Sequence, residues 1–124
     1  MSSREPAPTA LGAWLDRHSA RAPAPLGARI RVFAGAASEN AAGGKPGGTA
    51  EPRALPALLA HAASEALARV LAHPGDRSAA LDLLAADALV TLALLAQAQQ
   101  APAELAQFAD GLIRAGLAMS APSA

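Results

Sequence analysis

The residues able to carry acid–base or metal chemistry are few and scattered through an alanine- and leucine-rich chain. Two carboxylates, Asp82 and Asp87, fall in its most apolar stretch. Five positions separate them, which on a helix places them about 140° apart around the axis. They therefore cannot close on one ligand. A working carboxylate pair needs i, i+3 or i, i+4 spacing, or a facing helix. Asp87, flanked by Leu83, Leu84 and Val90, is expected to be the more buried of the two, held as a structural carboxylate by an arginine or by Thr91. His18, His61 and His73 form no HExxH-like arrangement and are expected at the surface or at helix ends. Ser19, Ser38, Ser64, Ser78 and Ser120 lack a nucleophile-elbow setting and read as caps and loop residues.

One run imitates a phosphate-binding loop: Gly43-Gly44-Lys45-Pro46-Gly47-Gly48-Thr49. The motif requires Gly-Lys followed directly by Ser or Thr, between a strand and a helix. Here Pro46 follows Lys45 and no strand precedes it, so the run reads as a linker. The chain has no cysteine, which excludes disulfides, thiolate nucleophiles and zinc–thiolate sites. The expectation is a protein that is not an enzyme, with no catalytic, cofactor-binding or metal-ligating residue.

Residues 80–93, Ala-Leu-Asp-Leu-Leu-Ala-Ala-Asp-Ala-Leu-Val-Thr-Leu-Ala, look like the helix that follows the first aspartate-rich motif of the all-α polyprenyl diphosphate synthases. The aspartate-rich magnesium motifs of that family are absent, and 124 residues fall well short of its fold. No activity is carried over from the resemblance.

The elements that would position these residues are read from periodicity and breakers. Residues 1–8 form a polar, mobile tail. Thr9 can cap a helix with Leu11, Trp14, Leu15 and His18 on one stripe, stopped by Pro23 and Pro25. A second segment, Pro25 to about Ala37, places Leu26, Ile30, Phe33 and Ala37 on one helical face. Residues 29–34 also alternate as a strand would, but no other segment offers a partner for its backbone groups. Together these make an N-terminal helical segment, 9–37. Residues 38–53, crowded with Ser, Asn, Gly and Pro, form a flexible linker. The C-terminal helical core, 54–119, follows, with a tail at 120–124.

Within that core, a helix from about Leu55 to Ala72 carries Leu55, Leu58, Leu59, Ala62, Ala66 and Val70 on one face. Glu65 and Arg69 are spaced to pair. Pro74-Gly75 ends this helix, with His73 at its negative end. Asp76 or Ser78 caps the next, about Ala79 to Gln100, whose large apolar residues point all round: Leu81, Leu84, Leu92 and Leu95 on one side, Leu83, Val90 and Leu94 opposite, Leu89 between. Such a helix is central in its fold or faces a partner chain. Pro102 opens the last helix, where Leu105, Phe108, Leu112, Ala115 and Met119 make a narrow stripe. The fold class is all-α: a small bundle of four to five helices around a central leucine-rich helix. Alanine is a strong helix former but a thin core filler, so the leucines are expected to supply most of the burial.

Ten basic residues balance ten acidic ones. Nucleic-acid binding normally shows a basic stripe, and the mild excess of Arg4, Arg17, Arg21, Arg29 and Arg31 in the first third does not make one. No N-terminal signal-peptide pattern is present. Asp82 and Asp87 interrupt the stretch nearest to a membrane span, Ala79 to Ala96, so no span is expected. The expected location is the cytoplasm. A helix apolar on all sides, with few amphipathic helices to cover it, points to a helical protein–protein interaction or oligomerisation module. Its partner would be another protein or a second copy in a homodimer. The expected contact surface is Leu83, Val90, Leu94, Leu105, Phe108 and Leu112. The alternative is a bundle that binds a lipid- or prenyl-like ligand in a cavity lined by Leu84, Leu92, Phe108 and Leu112.

Overall fold

The computed structural model describes the backbone of residues 10–41 and 54–120, and the side chains of 10–40 and 54–115. Five α-helices make up these residues: α1 (Ala10–His18), α2 (Ala24–Ala41), α3 (Leu55–Ala72), α4 (Arg77–Gln100) and α5 (Leu105–Ser120). A 3-10 turn, Pro102–Glu104, leads into α5, and no strand is present among the described residues. The all-α bundle is the observed architecture.

Alanine, leucine and well-placed prolines explain where the helices start and stop. Pro25 and Pro56 sit in the first turns of α2 and α3, where no backbone N–H is required of them. Helix α3 ends at His73, whose backbone N–H donates to the carbonyls of Arg69 and Val70. Gly75, at φ 87°, then takes the left-handed conformation that reverses the chain into α4. Asp76 occupies the N-cap position of α4 in extended conformation, without a side-chain capping hydrogen bond.

Residues 29–34 are helical, because α2 finds its partners in helices rather than in another strand. That helix also runs further than its composition suggests. Ser38, Glu39, Asn40 and Ala41 continue it, so the break assigned to 38–53 begins after Ala41. The remainder of that linker lies outside the described residues, as do the tail at 1–8, the cap at Thr9 and residues 121–124; Ser120 belongs to α5.

The core is an antiparallel α3–α4 hairpin with α2 laid across both helices. More than half of the buried apolar residues are alanines, contributed by α2 (Ala34, Ala37), α3 (Ala62, Ala63, Ala66) and α4 (Ala85, Ala86, Ala93, Ala96). Leu15, Ile30, Phe33, Leu58, Leu59, Leu89 and Leu92 fill the spaces between them. The expectation that leucines supply most of the burial concerns area rather than number, and Leu15, Leu58, Leu59, Leu89 and Leu92 each remove more apolar surface from water than an alanine does. Alanine carries no side chain beyond Cβ, so alanine-faced helices can approach closely.

Helix α1 is fastened through its middle. Trp14 and Leu15 are buried, and the Trp14 indole N–H donates to Gln99 at the far end of α4 over 3.0 Å. On its outer side Asp16 pairs with Arg31 of α2.

Helices α3 and α4 are long and apolar enough to cross a membrane by length and composition, which the interrupting aspartates did not suggest. Core helices of bundles meet the same criterion, and 33% and 39% of the two stretches are buried inside the fold.

Candidate functional site

Helix α4 presents two unlike sides. Asp82, Ala85, Ala86, Leu89, Leu92, Ala93 and Ala96 face inward and are buried. They recur every three or four residues, the spacing of one helical face. The opposite side bears Leu83 and Leu84, 51% and 55% exposed, with Val90 and Leu95 at their flanks at 36% and 37%. The helix is therefore central on one side and open on the other, rather than covered all round within one chain.

The two aspartates exchange the environments expected of them. Asp82 is the buried one, 3% exposed, and Asp87 is exposed. The inward face passes through position 82, and a further five residues carry the chain about 140° round the helix to the outside. Arg29 of α2 reaches Asp82, its Nη1 lying 3.4 Å from Oδ1, so the buried carboxylate ties α2 to α4. That oxygen makes no hydrogen bond of good geometry, leaving the pair mainly Coulombic. Thr91 does engage residue 87, but its hydroxyl donates to the Asp87 backbone carbonyl at 3.1 Å and leaves the carboxylate free.

The histidines stay apart. His18 packs against Trp14 with the rings tilted by 44° and their centroids 4.4 Å apart, His61 lies 3.7 Å from Glu65, and His73 closes α3. Glu65 thus turns to His61 instead of Arg69. Among the described residues, no three of His, Asp and Glu gather as metal ligands would.

What the fold does assemble is an apolar groove on its surface. It runs between α3 and α4 and is lined by Ala60, Ala63, Ser64 and Leu67 of α3, Leu83, Ala86, Asp87 and Val90 of α4, and Leu112 of α5, enclosing about 270 Å³. The small residues of α3 make the floor, since a larger side chain at Ala60 or Ala63 would fill it. Helix α5 covers one end only. Its residues Leu105, Phe108 and Leu112 are half-buried, while Ile113 is 61% exposed.

Of the six residues expected to form a contact surface, Leu83, Val90 and Leu112 meet in this groove. Leu94 and Leu105 are half-buried, and Phe108 packs against the core from α5. Leu67 and the alanines of α3 escaped sequence reading, because the α3 pattern alone does not reveal how much of its flank α4 leaves uncovered. The cavity expected from Leu84, Leu92, Phe108 and Leu112 is not formed. Leu84 is exposed, Leu92 is buried, Leu112 lies in the groove, and Phe108 edges a separate depression with Gln97, Glu104 and Gln107. Compared with known proteins, the chain matches no family model, no curated protein and no solved structure.

Proposed function

We propose that this chain is a helical protein–protein interaction module without enzymatic activity, and that it binds through the outer side of α4 and the adjoining α3–α4 groove. One observation carries the reading: Leu83 and Leu84, adjacent in sequence, both stand about half exposed beside an apolar groove that also contains Leu67, Val90 and Leu112. Leaving half of a leucine side chain in water forgoes about 1 kcal/mol, and contiguous apolar surface of this kind marks contact sites. Leu94, Leu105 and Phe108, half-buried beneath or on α5, shape the border of this surface more than its centre. Among the described residues the carboxylates and histidines are dispersed and gather into no cluster that competes with this reading.

Site-specific photo-crosslinking tests the reading. A crosslinking residue at position 83 or 90 should give discrete adducts in cells, and one at exposed Glu39 on α2 should not. Adducts with another protein or with a second copy both support an interaction module. Equal yields from all three positions, or none, would overturn it.

A further inference from the structure

The exposed side of α4 is complementary to itself. Arg77, Ala80, Leu84, Asp87 and Thr91 are all exposed and follow one another at alternating three- and four-residue steps, as the seam positions of a coiled coil do. Arg77 and Asp87 stand at the two ends of its first eleven residues, about 15 Å apart along the axis. Neither makes an ion pair among the described residues. The other charged group of α4, Asp82, turns inward to Arg29, and Asp76, at the N-cap beside Arg77, is exposed.

We propose that α4 pairs with α4 of a second copy, antiparallel about a two-fold axis level with residue 82. This rests on the interaction reading above and names the partner. In that register Arg77 faces Asp87 of the other copy at one end, and Asp87 faces Arg77 at the other. Ala80 and Leu84 share the same midpoint, so each leucine meets an alanine across the axis and has room to insert. Leu83 of each copy flanks the seam. A two-fold contact uses the same patch on both subunits, so opposite charges equidistant from the axis satisfy one another twice. A parallel arrangement would instead oppose arginine to arginine and aspartate to aspartate. The leucines supply the affinity through burial, and the charges fix direction and register.

The test is sedimentation equilibrium of the purified full chain and its variants. Wild type should be a dimer. Leu84→Glu should raise the dissociation constant by about thirtyfold or more, as loss of a central contact does. Arg77→Glu alone places two acids at each end of the seam, and Asp87→Arg alone places two arginines there. Each should weaken the dimer about tenfold. The double variant R77E/D87R restores both pairs and should return to near wild-type affinity. Mixing the two single variants should also give a mixed dimer tighter than either homodimer. A monomeric wild type overturns the proposal, as does a dimer indifferent to Leu84 and to both charge reversals. Position-83 adducts with a different protein alongside a monomeric purified chain would remove the second copy and leave the interaction reading standing.

Discussion

The two sides of α4 use the same few residue types to opposite ends. Inside, alanines dominate and a charged residue, Asp82, is accommodated; outside, the leucines are large and exposed. Judged by side-chain size alone, the assignment would be reversed. The difference teaches that residue size does not decide which side turns inward: small residues take most of the inner face, with a few bulky ones at Ile30, Leu59 and Leu89 that have almost no exposure. A leucine facing outward is then surplus to the fold, which is what the proposed interaction surface draws on.

Substitutions on the inner side should show the largest effects. Leu89 is fully buried between α2, α3 and α4, and Leu89→Ala should cost about 3–4 kcal/mol in urea unfolding, because the close-packed surroundings cannot collapse into the space. Arg29→Ala strands the buried Asp82 carboxylate and should cost about 3 kcal/mol, whereas Asp82→Leu removes the charge itself and should be nearly neutral or stabilising. If both variants destabilised equally, the ion pair would be a net source of stability and not a tolerated charge. Ala93→Leu should cost about 2 kcal/mol by forcing the helices apart, which thermal unfolding would register. The smallest effect belongs to Trp14→Phe. It keeps the ring but loses the hydrogen bond to Gln99, at about 1 kcal/mol, and calorimetry should show α1 still docked.

Most of the fold was legible in the chain. Pro23, Pro25, Pro74-Gly75 and Pro102 punctuate it, and the heavy use of alanine and leucine between them leaves little but helix. The end of α2 was less so, because Ser38 and Asn40 are turn formers in isolation and the helix carries them only by continuing past Ala37. The two aspartates were misassigned for a related reason. Leu83, Leu84 and Val90 beside Asp87 suggest an apolar environment, but a neighbour in sequence is not on the same helical face. Which side of an all-apolar helix turns inward depends on the matching small residues of α2 and α3, and those contacts are set between helices. The groove was half legible: Leu83, Val90 and Leu112 are conspicuous by size, while Ala60, Ala63 and Leu67 shape it by what they leave empty.

Urea unfolding of Leu84→Gln, followed by Trp14 fluorescence at a protein concentration low enough to keep the chain monomeric, tests the division of α4 most directly. Glutamine keeps nearly the helix preference of leucine, so the variant isolates the contribution of the exposed apolar group. A stability within about 1 kcal/mol of wild type is predicted, well below the loss at Leu89. A loss of about 3 kcal/mol or more would make Leu84 a core residue and contradict the separation of a folding side from the proposed binding side.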